Sequence, residues 1–177
     1  MHLATLALFL PACFALNMAP GPNNLLSVRN ASTYGFRTSC LAGIGRLAAF
    51  ALMIALAAAG LAVVLQASEL LFYGIKILGA GYLLYLAYQL WTADPQVQSA
   101  ERSRVSGLLA LSRQEFLVAI GNPKAILIFT AFLPQFVEPG APVGSQFLVL
   151  GLLFLLLEWI AILSLIHISE PTRPERI

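Results

Sequence analysis

Asn17-Met18-Ala19-Pro20-Gly21-Pro22-Asn23-Asn24 sits inside a run, Leu3 to Val28, that carries no charged side chain. A run of that length is a membrane-span candidate. Two prolines, a glycine and three asparagines are a poor sequence for a plain helix. Each proline removes a backbone donor and frees a carbonyl one turn earlier. In lipid such a break is tolerated only where protein or a water-lined cavity faces it. The asparagine amides can partner the freed groups or turn toward a solute. A bare proline kink held by neighbouring helices would need no such crowd of amides, so a functional reading of the break comes first.

The rest of the 177-residue chain agrees with a membrane setting. It is 59% hydrophobic and 10% charged, with a mean hydropathy of +0.85. A soluble domain of this size could not hide so much apolar surface. The apolar runs are continuous, whereas a β-barrel would alternate. The fold class expected is therefore all-α, a polytopic transmembrane helix bundle. A net charge of +2 gives no reason to expect a nucleic-acid partner; the lipid bilayer is the expected surround. Cys13 and Cys40 read as small packing residues, and no metal cluster or cofactor motif is visible. Before the first apolar run only the amino terminus and His2 could be positive, so a signal peptide is not expected.

Five spans are expected: Leu3 to Val28, Cys40 to Leu65, Leu70 to Trp91, Glu115 to Val137 and Gln146 to Ile166. In the second, Ala55 to Ala59 offers small residues for close helix packing. In the third, Tyr82, Tyr85, Tyr88 and Trp91 have the composition of an interfacial aromatic belt. Arg29 to Ser39 and Thr92 to Arg113 read as polar loops, and they hold Arg29, Arg37, Arg102, Arg104 and Arg113. The connections after the second and fourth spans hold no Lys or Arg. The positive-inside rule then puts the two basic loops in the cytoplasm and the N-terminus outside.

The fourth span repeats the trouble of the first. It is broken at Gly121-Asn122-Pro123-Lys124 and again at Pro134-Gln135. Pro11 and Pro22 stand eleven residues apart, as do Pro123 and Pro134. Lying three spans apart, the two broken segments cross in opposite senses. Interrupted helices at matching places in two halves are the mark of an inverted-repeat transporter.

These motifs, Met18-Ala19-Pro20-Gly21-Pro22-Asn23 followed by Gly121-Asn122-Pro123-Lys124-Ala125 and Leu133-Pro134-Gln135-Phe136, resemble the LysE/RhtB family of amino-acid exporters. Lys76-Ile77-Leu78-Gly79-Ala80-Gly81-Tyr82-Leu83 is similar to that family's third span. The resemblance runs from Leu3 to Ile162. It implies a non-enzymatic exporter of amino acids or close derivatives in the bacterial inner membrane, driven by proton motive force, without a cofactor. It also implies a sixth span, in a 3+3 inverted repeat. An assembly of several copies, a homo-oligomer, is compatible with it.

The chemistry of the breaks fits such a substrate. A zwitterionic amino acid needs donors for its carboxylate and acceptors for its ammonium. Asn17, Pro20, Gly21, Pro22, Asn23 and Asn24 in the first span and Asn122, Pro123, Lys124 and Gln135 in the fourth are the candidate substrate-binding residues. Lys124 either meets the carboxylate or snorkels to the interface, and both readings stay open. Arg46, near the cytoplasmic end of its span, is expected to snorkel or pair. Lys76 is expected to pair with Glu69. Glu158 is an acidic side chain well inside an apolar run: a proton-coupling candidate or one end of an interhelical bond.

The last stretch reads differently. Leu163 to Arg173, Leu-Ser-Leu-Ile-His-Ile-Ser-Glu-Pro-Thr-Arg, resembles the in-frame translation of a transposase sequencing-library adaptor. The expected organisation is therefore a transporter domain over 1–162, lacking its sixth span, and a non-native tail over 163–177. Two rival functions belong to other classes. A membrane thiol–disulfide carrier would need Cys13 and Cys40 to meet, and a structural subunit would tolerate any replacement of the proline motifs that preserved packing.

Overall fold

A computed structural model describes residues 2–92 and 107–169, apart from the side chains at 65, 66, 69, 86, 87, 89–91 and 169. Every element in these residues is helical. They run in the order α1 (Leu3–Met18), α2 (Pro22–Tyr34), α3 (Phe36–Ala67), α4 (Glu69–Thr92), α5 (Leu108–Ile120), α6 (Pro123–Leu127), a π-turn (Ile128–Phe132), a 3-10 turn (Leu133–Phe136) and α7 (Val143–Ser169).

Among the described residues two stretches are by themselves long and apolar enough to cross a membrane: Phe36–Val64 in α3, with 29 residues, and Val143–Ile168 in α7, with 26. At 1.5 Å per residue both exceed a hydrocarbon core of about 30 Å. Two more candidates are bent pairs. The pair α1 and α2 bends by 58°, and α5 with Pro123–Phe136 bends by 56°. In both pairs a proline opens the second half: Pro22 is the first residue of α2 and Pro123 the first of α6. There the missing N–H costs nothing, since the first turn has no acceptor for it. The equal spacing of prolines is not what relates the halves. Pro11 lies inside α1 without ending it, whereas Pro134 sits in the 3-10 turn. It is Pro22 and Pro123 that correspond. In α4 the described apolar stretch is Leu70–Tyr85, within a helix of 24 residues.

The chain alternates between two ends. His2 lies 3.9 Å from Glu138, which puts the start of α1 beside the turn before α7. At the other end Tyr34 to Thr38 and His167 line one surface cleft. Arg37 belongs to this second end, Arg29 lies in α2, which leads to it, and Arg113 lies in α5. Arg102 and Arg104 lie outside the described residues, as does most of the expected loop from Thr92 to Arg113. The expected loop at Arg29 to Ser39 is instead helical on both sides of one corner residue, Gly35. Gly35 has φ 83°, a backbone angle that favours glycine, and this lets α2 turn directly into α3.

The core is aromatic. Phe50, Phe129 and Phe154 form a triangle with ring centroids 5.0–5.7 Å apart, joining α3, the π-turn and α7. Phe9, Phe132 and Phe136 form a second, at 5.0–5.9 Å. Edge and stacked contacts of this kind add about 0.5–1.5 kcal/mol each beyond burial. The small-residue seam lies earlier in α3 than Ala55 to Ala59, where Ala55 and Ala59 are exposed. It lies at Ala42, Gly45 and Ala49. A Cβ on Gly45 would stand 2.0 Å from the Ser112 carbonyl oxygen, so α3 and α5 meet backbone to backbone there. Tyr82, Tyr85 and Tyr88 face outward, as a belt requires; the Trp91 side chain is outside the described residues.

Candidate functional site

The two breaks meet. Asn122 caps α6, its side-chain oxygen accepting from the Lys124 N–H at 3.0 Å. Its Nδ2 donates to Asn23 Oδ1 at 2.6 Å. Lys124 reaches the other way, its Nζ donating to the Ala19 carbonyl at 2.8 Å. Asn24 Nδ2 donates to the carbonyls of Asn17 and Ala19, at 2.7 and 2.9 Å. The Asn24 amide and Lys124 thus satisfy carbonyls that the first break leaves open. The Asn17 amide lies between Cys13 O and Glu158 N, and the orientation that satisfies both donates to the first and accepts from the second. Among the described residues no buried side-chain nitrogen or oxygen lacks a partner.

Behind this junction stands Arg46, with a fully buried side chain. Of the two expectations for it, snorkelling or pairing, the structure shows pairing. Its Nε and Nη2 donate to Glu115 Oε2 at 3.1 and 2.9 Å, and its Nη1 donates to Glu158 Oε1 at 3.0 Å. It also donates to Asn24 Oδ1, Ser27 Oγ and the Asn23 carbonyl. One guanidinium therefore joins α2, α3, α5 and α7. An arginine fork suits this, because its five N–H groups are fixed in one plane. Glu115 is also fully buried and accepts further from Ser27 Oγ and Asn30 Nδ2, at 3.0 and 3.3 Å.

Glu115 is the residue that reading the sequence missed. Taken as the first residue of a span, it would face the headgroups. The helix in fact starts at Leu108, so Glu115 lies two turns inside it. Two signals point to it. The apolar run Leu108 to Leu111 extends the span upstream, and Asn23, Ser27 and Asn30 form a polar stripe at helical spacing on α2 that needs a polar partner.

A cavity of about 20 Å³ lies beside the junction, room for about one water molecule and well below the range for ligand sites. Asn17, Gly21, Asn23, Asn24, Asn122, Lys124 and Glu158 line its polar side; Leu16, Phe50, Ala125, Ile128 and Phe154 line its apolar side. Gly21 leaves room for the Lys124 side chain, whose Cδ would stand 3.4 Å from an added Cβ. Pro20, Pro22 and Pro123 are exposed and shape the breaks without lining the cavity. Gln135 stands apart from it, donating to the carbonyls of Lys76 and Ala131 at 2.7 and 3.1 Å. Lys76 itself lies over the Phe72 ring, 5.3 Å from its centroid, and donates to Val137 O at 3.4 Å. Its expected partner, the Glu69 side chain, is outside the described residues. Cys13 and Cys40 pack in separate apolar clusters, the first with Phe9 and Phe132, the second with Ala31, Ile162 and Ile166.

Similarity to known proteins agrees with this architecture. A family model described as LysE type translocator matches residues 14–172. An uncharacterized membrane protein of Vibrio cholerae serotype O1 is 34% identical over 144 residues, covering 81% of this chain and 70% of its own length. An uncharacterized membrane protein of Pseudomonas aeruginosa is 36% identical over 143 residues, covering 77% and 66%. A leucine efflux protein of Enterobacter sp. (strain 638) is 30% identical over 145 residues, covering 81% and 69%. The chain thus spans 66–70% of the length of these three relatives. No solved structure matches. With a family match over most of its length and apolar helices broken at paired positions, the chain belongs to the LysE type translocators, a family of multi-pass membrane proteins.

Proposed function

We propose that the protein exports amino acids or close derivatives across the bacterial inner membrane. The observation that carries this reading is that Lys124 and Glu158 line one small cavity between the breaks, which widens to admit a substrate. A zwitterion needs a cation for its carboxylate and an anion for its ammonium, a few ångströms apart. Asn17, Asn23, Asn24 and Asn122 supply neutral donors and acceptors around them, and Phe50, Phe154 and Ile128 suit an apolar side chain. The prolines of both breaks, with Gly21, shape the site. The naming of relatives as leucine efflux proteins supports the same substrate class.

Proton motive force drives the export on this reading, with Glu158 as the proton carrier. The basic end, with Arg29, Arg37 and Arg113, faces the cytoplasm and the N-terminus faces outward. The protein is not an enzyme on this reading. Efflux of a panel of labelled amino acids from loaded membrane vesicles tests the proposal. Export of at least one amino acid, abolished by Lys124→Ala at equal expression, is expected. Retention of every amino acid on the panel, or export indifferent to Lys124, overturns it.

A further inference from the structure

Resting on that reading, we infer that substrate ammonium and proton occupy one and the same group, the Glu158 carboxylate, in turn, while Arg46 and Glu115 form a fixed pair that takes neither.

The two buried carboxylates differ in how they are held. Glu115 has both oxygens engaged: Oε2 takes two N–H groups of Arg46, and Oε1 takes Ser27 and Asn30. A carboxylate has about four acceptor sites, and here all four are filled. Nothing remains for a ligand, and Glu115 does not line the cavity. Glu158 accepts a single side-chain hydrogen bond among the described residues, from Arg46 Nη1 to Oε1, and it lines the cavity. Its remaining acceptor capacity is what an ammonium needs.

Charge bookkeeping points the same way. Arg46 and Lys124 carry one positive charge each, and Glu115 and Glu158 one negative charge each, so the cluster is neutral with Glu158 ionised. A zwitterion leaves that balance unchanged, its ammonium at Glu158 and its carboxylate at Lys124. A proton on Glu158 removes the negative charge that holds the ammonium. The two loads therefore exclude each other. The exchange balances: the Glu158 O–H bond breaks, the proton leaves to water, and the carboxylate pairs with the incoming ammonium without further bond changes. Substrate leaving outward and proton entering inward then alternate on one site, one for one.

The charged or titratable groups facing Glu158 are Arg46 from α3, Lys124 from α6, Glu115 from α5 and Cys13 from α1; Asn17 and Asn24 are neutral neighbours. Lys124 adds an alkaline limb to the binding profile, because losing its proton weakens the carboxylate end. The acid limb belongs to Glu158.

The test is calorimetric binding of leucine to the purified full-length protein in lipid nanodiscs, in buffers of different ionisation enthalpy, across pH. Heat differences between buffers count released protons. The expected result is close to one proton released per leucine on the acid side, falling toward none as pH rises. The apparent Kd for leucine should weaken about tenfold per pH unit below the titration of Glu158. Glu158→Gln, whose amide oxygen can still accept from Arg46, should bind leucine more weakly, release no proton and lack the acid limb. Leucine binding by the unaltered protein without proton release at any pH overturns the inference, as does release preserved in Glu158→Gln. Should that variant fail to fold, the proton count of the unaltered protein decides alone. A protein that binds none of the amino acids in the efflux panel refutes the exporter reading itself. One that binds them without regard to pH refutes only the shared carboxylate.

Discussion

Replacing Arg46 with methionine keeps most of the side chain's length and removes its charge. The structure sets the size of the effect. All five N–H groups of Arg46 are committed, to Glu115, Glu158, Asn24, Ser27 and the Asn23 carbonyl. Removing one partner of a buried ion pair costs about 3–5 kcal/mol, because a charge is left uncompensated. Here two carboxylates are stranded at once, and each can limit its cost by taking up a proton. The expected loss is therefore about 3–5 kcal/mol for the pair of them rather than twice that. Arg46→Lys, with three donors in place of five, should fall between. The double variant Arg46→Met, Glu115→Gln should recover about 1–3 kcal/mol of the loss, as coupled neighbours do. Reversible unfolding in mixed micelles, followed by tryptophan fluorescence, measures all of these; Trp159 adjoins Glu158. A loss within about 1 kcal/mol, the range of exposed ion pairs, would mean that Arg46 reaches water, and the hub described here would be refuted.

Gly45→Ala should destabilise by about 1–3 kcal/mol or more, since the added carbon meets the Ser112 backbone oxygen at 2.0 Å. Gly60→Ala, in the same helix with nothing within 4 Å, should stabilise by about 0.5–1 kcal/mol; thermal unfolding in detergent compares the two. Cysteine-free protein carrying Cys13→Ala and Cys40→Ala should retain amino-acid efflux, and loss of efflux without loss of expression would revive thiol chemistry. Single cysteines at Arg37 and Arg113 should both resist an impermeant thiol reagent applied to intact cells, while one at Ala141 should react. Labelling of all three, or of Arg37 and Arg113 alone, would contradict the orientation.

Much of the fold could be read from the chain because its signals are local. Apolar runs announce helices, and Pro22 and Pro123 announce where two of them break. The polar junction between the breaks was foreseeable for the same reason: Asn23 and Asn122 cannot face lipid, so each needs the other. What the sequence hid depends on depth. Arg46 and Glu115 both looked terminal, since hydropathy marks span ends only to within a turn or two, and a terminal charge reaches water at little cost. Their burial follows from α2 and α3 joining at Gly35 and from α5 starting at Leu108, which moves both residues inward. The packing seam was misplaced because small residues are frequent throughout α3; only the partner helix decides which of them is used. Gln135 looked like part of the site because it sits beside a proline, but the π-turn and 3-10 turn carry it a further two turns along the span.

The measurement that tests the central claim most directly is an experimental structure of the full-length protein determined with a saturating transported amino acid. The account predicts the ligand in the cavity between the two breaks, its ammonium on Glu158, its carboxylate on Lys124 and its side chain against Phe50 and Phe154. A ligand in the apolar groove lined by Met53, Leu61, Ile75 and Pro134, or one held by Gln135 and Lys76, would contradict it.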